Sequence, residues 1–384
     1  MGCVYVEFMN IKPKILLHIR DDGFDKRGGD TFLIEKFSEV FVALKYDVIV
    51  SNNPYADLEN IKCVVSINYD RPFESCILLQ RALNNKLPFF LYTLHHPMQG
   101  VTDYLRSPSL MGFRRVISKI CFRKPFCYES FISLLKLVKN YELRAILYFR
   151  YLYIPFAQKF IAENATALLV VNDSELTQIE SDCGLVIKKH KLLPHLFELN
   201  TMKNIAKEKR LVVCAGRIEP RKNQFSVLKL AEQFTDCNFV FIGAANPSSV
   251  DYYDMCIDYS KKLNNVKFID HMDMESLRNL LAKAEVFVSL CFFEVVSLTE
   301  LEAYSQYCKM LVGKQSYISR FIAGDCVSFV DVNNESLLAS EFNDLLNLEL
   351  NVAERASILA GNDFESMSFE SIKSVFKKIV EESL

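Results

Sequence analysis

The sequence lacks any run of about 18 uncharged apolar residues, so it predicts no membrane-spanning helix. Its first ten residues lack the positively charged start and the small-residue cleavage site of a secretory signal. They begin Met-Gly-Cys, which we interpret as an ordinary start and not as a lipidation signal. We therefore expect a cytoplasmic protein whose first eight residues add little to the fold.

Two further absences exclude classes of binding protein. No two of the 12 cysteines lie within four positions of each other, so zinc-ribbon spacing is missing. We interpret Cys63, Cys214 and Cys291, which lie in apolar runs, as small buried side chains in a reducing compartment. The formal net charge is −2, which excludes a generally basic protein that binds polyanions over its whole surface.

What the sequence does contain is a series of short apolar runs separated by amphipathic stretches of helical length. Such alternation is typical of parallel sheets that helices cover on both faces. The runs are Lys14–Ile19, Tyr46–Val50, Cys63–Ile67, Pro88–Leu94, Leu168–Val171, Leu211–Ala215, Asn238–Ile242, Val266–Ile269, Val286–Leu290 and Met310–Val312. The two clearest helical stretches are 225–234 and 274–284.

The length of 384 residues suits two domains. We predict an α/β fold with two doubly wound Rossmann-like domains, residues 1–200 and 201–384, joined by a polar linker at Asn200–Arg210. The last helix could pack back on the first domain. Ligands of such sheets bind at the carboxyl ends of the strands, so the predicted site is the cleft between the domains.

The second domain opens with a strand that ends at Gly216 and a loop that carries Arg217 and Lys222. Two cations beside a helix N-terminus can neutralise a diphosphate while backbone N–H groups donate to its oxygens. By itself this signal is weak, because basic residues in a loop are usually only solvated.

Two later features fit the same site. The next strand ends at Gly243, which would let a ligand approach the backbone closely. After the strand at Val286–Leu290, seven residues separate Glu294 from Glu302. Carboxylates can accept hydrogen bonds from the vicinal hydroxyls of a sugar or a ribose. The alternative is an ordinary acidic helix start, which the helix dipole favours.

Taken in chain order, these features resemble those of the retaining GT-B glycosyltransferases that use sugar nucleotides. This is the large family numbered four, which carries an E-x7-E signature. The resemblance extends from about Lys14 to Leu311. The matching pieces are Gly28-Gly29, Thr93-Leu94-His95, Pro194 to Glu198, Gly216-Arg217 to Lys222, Asn265 to Ile269, and Glu294 to Glu302.

The resemblance implies a role for each matching residue. Arg217 and Lys222 would bind the donor diphosphate and stabilise the leaving group, and Glu302 would hold the ribose. Glu294 would orient the donor sugar, and His95 would lie at the reacting face. Further donor-binding residues would be Gly28, Gly29, Gly216, Gly243, Asp270, Ser297 and Leu298. No D-x-D pair occurs in the sequence, so we expect neither a metal nor another cofactor.

The sequence departs from the family pattern beside Glu294. Glu294-Val295-Val296-Ser297 stands where the family commonly has Glu-Gly-Phe-Gly or Glu-Ser-Phe-Gly, so that Ser297 replaces a glycine, and Asp270 and His195 replace a glycine and an asparagine. These changes leave open a second interpretation, a glycosyltransferase-like scaffold that binds nucleotides and supports a partner enzyme without turnover.

The small net charge conceals a basic segment in the first domain. Residues 104–160 contain 11 Lys or Arg, only two acidic residues, Glu129 and Glu142, and 13 aromatic residues. Such a segment could lie on an anionic membrane or bind single-stranded nucleic acid, or its aromatic side chains could pack inside the domain.

We therefore predict a metal-independent, retaining hexosyltransferase. It would move a sugar from a nucleoside diphosphate sugar to a saccharide, most simply a lipid-linked saccharide in the synthesis of a bacterial surface polysaccharide such as O-antigen or capsule. A peripheral contact with the inner face of the cytoplasmic membrane would accompany such an acceptor. Nucleic-acid binding ranks last among these interpretations.

Overall fold

The computed structural model describes residues 12–25, 28–140, 143–202, 205–350, 354, 357, 359 and 362–383. The first eight residues, for which we expected little contribution to the fold, lie outside the described residues.

The first domain is built on a six-stranded parallel sheet with the strand order β2-β1-β3-β4-β5-β6. Its strands are β1 (Lys14–His18), β2 (Asp47–Ser51), β3 (Ile61–Ile67), β4 (Phe89–Tyr92), β5 (Ala167–Val170) and β6 (His190–Leu192). Its helices are α1 (Gly29–Ala43), α2 (Phe73–Asn84), α3 (Met98–Arg106), α4 (Gly112–Ile120), α5 (Pro125–Asn140), α6 (Ile154–Asn164) and α7 (Asp173–Cys183), with a 3-10 helix at Leu143–Leu152.

The second domain repeats this architecture with the strand order β12-β11-β10-β7-β8-β9. Its strands are β7 (Glu208–Ala215), β8 (Asn238–Ile242), β9 (Val266–Ile269), β10 (Ala284–Ser289), β11 (Lys309–Gly313) and β12 (Val327–Val330). Its described α-helices are α8 (Gln224–Gln233), α9 (Val250–Ser260), α10 (Met274–Lys283), α11 (Leu298–Ser305), α12 (Glu335–Asn347) and, closing the chain, α13 (Phe369–Glu382).

The predicted fold class is confirmed, since both sheets are parallel and helices separate their strands. The apolar runs coincide with ten of the strands. β6 and β12 were missed, and both lie at the edge of a sheet. The predicted linker extended to Arg210, but β7 already begins at Glu208. That end of the linker prediction is wrong, because Glu208 pairs with Ala284 of β10 although its side chain is exposed.

The final helix packs against the first helix of the chain. The ring of Phe376 in α13 lies 4.9 Å from that of Phe37 and 4.7 Å from that of Phe41, measured between ring centroids. A buried aromatic cluster thus ties the end of the chain to the first domain. Within the part of the chain that the structure describes, no helix is long and apolar enough to cross a bilayer.

The basic, aromatic segment at 104–160 divides its aromatic side chains between two environments. Tyr104, Tyr128 and Tyr151 are buried, as expected if the segment only packs inside the domain. Phe113 and Phe122 are exposed on and just after α4. Packing inside the domain therefore accounts for only part of the segment.

Candidate active site between the two sheets

The ends of β7 and β8 meet at two glycines that no other residue type could replace without a shift of the backbone. Gly216 and Gly243 have φ values of 145° and 144°. A Cβ atom on Gly243 would overlap the carbonyl oxygen of Gly216. This close approach fixes the start of the loop from Gly216 to Asn223, which carries the predicted diphosphate-binding residues.

Glu294 lies in the middle of a cluster of cations at the carboxyl edge of the second sheet. Its Oε2 atom accepts hydrogen bonds from Lys222 Nζ at 2.5 Å and from Arg221 Nη1 at 3.0 Å. Burial alone would raise the pKa of Glu294, but the charges of Arg221 and Lys222 outweigh it and hold the pKa well below its usual range. Glu294 is thus a fixed anion between two fixed cations.

Arg217 extends from the same loop but remains half-exposed. Its side chain is 43% exposed, and its nearest acidic partner among the described residues is Glu219, whose Oε1 atom lies 3.9 Å from Arg217 Nη2. A Cβ atom on Gly28, at the start of α1 in the first domain, would lie 3.9 Å from the same guanidinium. The structure therefore brings together the glycine loop of one domain and the basic loop of the other.

His95, which the family resemblance predicts at the reacting face, lies buried inside the first domain. The imidazole is fully buried, and its Nδ1 and Nε2 atoms lie 2.5 Å and 2.8 Å from carboxylate oxygens of Asp70 and Asp182. Burial alone would lower the pKa of His95, but the two carboxylates outweigh it and raise the pKa to about 10. Both ring nitrogens of His95 are thus engaged by carboxylates of the first domain.

His96, for which the family resemblance predicts no role, is an imidazole that contacts the second domain. Its ring packs edge-on against Phe293, with the centroids 4.9 Å apart. Its Nδ1 donates to Asp70 Oδ2 at 2.6 Å, so Asp70 bridges His95 and His96. The guanidinium of Arg221 also lies over the ring of Phe293, 5.4 Å from its centroid.

Glu302 is buried at the first turns of α11 and is already paired. Its two carboxylate oxygens accept hydrogen bonds from Nε and Nη2 of Arg278 in α10, at 2.9 Å and 2.7 Å. This bidentate geometry fixes the plane of the carboxylate. It leaves Glu302 lone pairs for further donors, so the pairing is compatible with the expected ribose contact.

The other predicted donor-binding residues lie at the rims of the two sheets. Among the described residues, no atom outside its chain neighbours and its own helix lies within 4 Å of the position that a Cβ atom on Gly29 would take. Asp270 follows β9 and accepts a hydrogen bond from Tyr253 Oη at 2.7 Å. The hydroxyl of Ser297 caps the N-terminus of α11, where it accepts a hydrogen bond from the backbone N–H of Glu300, and Leu298 is the first residue of that helix.

Glu300 is a buried carboxylate between the two glutamates of the signature. Its Oε1 atom accepts a hydrogen bond from Ser289 Oγ at 2.6 Å, whereas no hydrogen-bond partner for Oε2 occurs among the described residues. Burial raises the pKa of this carboxyl to about 7. The protonated form therefore persists to neutral pH, which reduces repulsion between Glu300 and Glu294.

The site thus contains Arg221, Asp70, His96 and Arg278 in addition to the predicted residues. Asp70 and Arg221 could have been found, because each follows a strand at its carboxyl end. His96 and Arg278 depend on side-chain direction and on helix packing, for which the sequence has no signal. No three His, Cys, Asp or Glu side chains of the described residues form a group that could hold a metal ion.

Comparisons with known proteins agree with this architecture. Residues 198–360 match the family model described as "Glycosyl transferases group 1". None of the curated proteins matches this sequence. The chain is similar in structure to sucrose-phosphate synthase from Thermosynechococcus elongatus, with a TM-score of 0.67, 14% identity, and coverage of 97% of this chain and 99% of the synthase.

Two similar structures hold ligands. HepE from Anabaena, in complex with UDP and glucose, has a TM-score of 0.61 and 12% identity, over 96% of this chain and 99% of HepE. A TarM variant from S. aureus, in complex with fondaparinux, alpha-GlcNAc-glycerol and UDP, has a TM-score of 0.56 and 14% identity. That match covers 83% of this chain, which spans only 55% of the TarM chain.

At identities this low, the structural matches establish the fold, and the family match concerns residues 198–360. The chain therefore has the GT-B glycosyltransferase fold, and most of its second domain matches the group 1 glycosyl transferases.

Proposed function

We propose that this protein is a retaining, metal-independent hexosyltransferase that uses a nucleoside diphosphate sugar. The observation that carries the proposal is the charge cluster on the matched domain, in which Lys222 and Arg221 hold Glu294 at 2.5 Å and 3.0 Å. A departing nucleoside diphosphate gathers negative charge. Fixed cations stabilise that charge without reorganising at the moment of reaction, which lowers the barrier.

In this proposal each charged residue of the site has one task. Arg217, half-exposed beside Gly28, and Lys222 neutralise the diphosphate oxygens. Glu294, kept ionised by its two cations, accepts hydrogen bonds from the hydroxyls of the donor sugar. Glu302 accepts those of the ribose while Arg278 holds its orientation. Positive side chains supply the charge that a metal supplies in other transferases.

The acceptor that we propose is a saccharide, carried on a lipid and used for a bacterial surface polysaccharide. Its support is the basic, partly exposed segment of the first domain, which would suit a protein that meets its acceptor at the cytoplasmic face of a membrane. Because the HepE and TarM structures contain UDP, uridine diphosphate sugars are the first donors to test.

The donor can be identified by thermal shift with a panel of nucleoside diphosphate sugars, since a ligand that binds the folded state raises the unfolding temperature. Transfer is then measured with the stabilising donor. Arg217→Ala should lower turnover by roughly 100-fold or more. It should leave the unfolding temperature unchanged, because Arg217 makes only a 3.9 Å ion pair. Lys229→Ala, which removes an exposed cation paired with Glu335 away from the site, is the control and should retain turnover.

The outcomes separate the proposal from its alternative. Full turnover by Arg217→Ala would overturn the role assigned to Arg217 at the donor diphosphate. Stabilisation by a donor without transfer to any saccharide would favour the nucleotide-binding scaffold, an interpretation based on Val295-Val296-Ser297 beside Glu294. Loss of activity in a metal chelator would contradict metal independence. A product whose anomeric configuration is inverted, as measured by NMR, would contradict retention.

A further inference from the structure

The outer face of α4 exposes a strip of large apolar side chains. Phe113, Val116 and Ile120 are 68%, 52% and 59% exposed, and Phe122, just after the helix, is 83% exposed. Since each residue advances about 100° around a helix, positions 113, 116 and 120 project within about 60° of each other. Single exposed apolar residues are ordinary, but three on one helix face, followed by a fourth just after the helix, form a patch.

The buried side of α4, which lies next to this strip around the helix, fixes the direction in which the strip points. Ile117 and Cys121 are buried in the core that α4 shares with α3 and α5. Ser118 Oγ donates a hydrogen bond of 2.8 Å to the carbonyl of Leu105 at the end of α3. The helix cannot rotate to bury its apolar strip without giving up these contacts.

Four exposed cations flank the strip. Arg115 and Lys119 lie on the adjacent side of α4, and Arg123 and Lys124 follow Phe122. The sequence contains no acidic residue between Tyr104 and Tyr128. No salt bridge joins these four cations to an acidic side chain of the described residues. Their charge therefore faces outward around the apolar strip.

The backbone after α4 is held in an unusual conformation. Phe122 and Arg123 have φ values of 54° and 56°, which place two consecutive non-glycine residues in the left-handed region. Such residues cost free energy and persist only where neighbouring contacts hold them. Here the backbone N–H of Arg123 donates to the carbonyl of Ser118 at 2.7 Å, and the turn keeps the ring of Phe122 exposed.

We infer that α4 and the following turn, residues 113–124, dock on the surface of an anionic lipid bilayer. The apolar strip would enter the boundary between headgroups and acyl chains, and the four cations would meet the lipid phosphates. A lipid surface fits better than single-stranded nucleic acid. Val116 and Ile120 offer no ring for a base to stack on, and a convex helix offers no groove for a backbone.

The position of this docking surface suggests how a lipid-linked acceptor would reach the site. This step rests on the proposed function. α4 packs on α3, and α3 in turn contacts the loop that carries Glu294, where Tyr104 lies 6.0 Å from Phe292 and 5.8 Å from Phe293, between ring centroids. Only one helix separates the docking surface from that loop. An acceptor whose lipid stays in the bilayer could therefore reach the site.

Co-sedimentation with vesicles tests the docking surface without any donor or acceptor. The full chain should bind vesicles that contain phosphatidylcholine and phosphatidylglycerol at about two to one at least tenfold more strongly than pure phosphatidylcholine. Raising the salt from about 0.1 M to about 0.5 M should release it, because the screening length shortens. Phe113→Ser with Phe122→Ser should lower binding by about tenfold or more, since two exposed rings no longer enter the bilayer.

Matched variants separate the contribution of the cations from that of the apolar strip. Arg115→Gln with Lys119→Gln should weaken the preference for anionic lipid, because two of the four cations are lost. Met274→Ser, which removes a half-exposed apolar side chain between Asp273 and Glu275 in the second domain, should bind like the wild type. Equal binding by the Phe113→Ser, Phe122→Ser protein would overturn the inference, as would binding of oligonucleotides but not of vesicles. Because the assay needs no turnover, failure of the proposed function would not alter its result.

Discussion

At the scale of single residues, His95 is a buried cation held by two anions. Its ring nitrogens lie 2.5 Å from Asp70 and 2.8 Å from Asp182, and its pKa is raised to about 10. Asp70 in turn accepts a hydrogen bond from Nδ1 of His96, which turns Nε2 of His96 away from Asp70. His95, which the family resemblance predicts at the reacting face, thus orients the neighbouring histidine through Asp70.

The raised pKa of His95 predicts a specific pH dependence of stability. The folded state holds the proton more tightly than the unfolded chain, whose pKa is near 6.5, so this contribution is complete below pH 6.5 and lost as the pH rises through about 10. Asp182→Asn removes one carboxylate partner. It should lower the free energy of unfolding by about 2 kcal/mol near neutral pH, and by much less above pH 10.

Urea denaturation of both proteins across this pH range measures the difference. Asp173→Asn, at the start of the same helix, is the control, because Asp173 is exposed and lies 3.4 Å from Arg320. A solvent-exposed ion pair of this kind contributes little to the free energy of unfolding. An Asp182→Asn deficit that stays constant from pH 6 to above pH 10 would show that His95 is not charged in the folded protein.

At the scale of elements, α10 and α11 are joined by the bidentate contact of Arg278 with Glu302. If Glu302 binds the donor ribose, Arg278 is a positioning residue. Arg278→Ala should then raise the KM for the donor by about tenfold with little change in kcat, because ground state and transition state lose the same contact. Steady-state kinetics and calorimetry with UDP measure both effects.

The control for this prediction is Lys283→Ala, which removes an exposed cation from the same helix. Its KM should equal that of the wild type. Tighter donor binding by Arg278→Ala would show the opposite arrangement, in which Arg278 competes with the ribose for Glu302.

The strands that the sequence predicted share a continuous apolar run, and most of them are buried, although the edge strands β2 and β9 were predicted while partly exposed. Val286, Phe287 and Val288 of β10 are completely buried, and such strands are read directly from their apolar runs. The edge strands β6 and β12 are half-polar, His190-Lys191-Leu192 and Val327-Ser328-Phe329-Val330. Their signal is too weak to distinguish them from loops.

Residues of the candidate site could likewise be predicted only where a clear strand marks their position. The sequence predicted Lys222 and Glu294, because both follow strands whose carboxyl ends meet at one edge of a sheet. It could not distinguish His95 from His96. The two imidazoles lie next to each other in the chain, and only the packing of Asp182 against one and Phe293 against the other separates their environments.

At the scale of the whole molecule, the two domains meet where α3 packs on the loop before Glu294. Gly100 makes this possible. A Cβ atom there would overlap the carbonyl oxygen of Phe292 and lie 2.8 Å from Cβ of Phe293. The contact brings His96 against Phe293 and thereby sets the distance between the residues of the first domain and the charge cluster of the second.

Gly100→Ala should therefore separate the two halves of the site. Within a helix, alanine usually stabilises relative to glycine, so a loss of activity would not reflect a weaker α3. Displacement of reacting groups by about 1 Å can cost roughly 100-fold in rate, and we expect kcat/KM to fall by that order while UDP still stabilises the protein in thermal shift. Gln99→Ala, one position earlier on the exposed side of α3, should behave like the wild type. If Gly100→Ala instead retains full turnover, the sugar transfer that we propose does not require this contact between the domains.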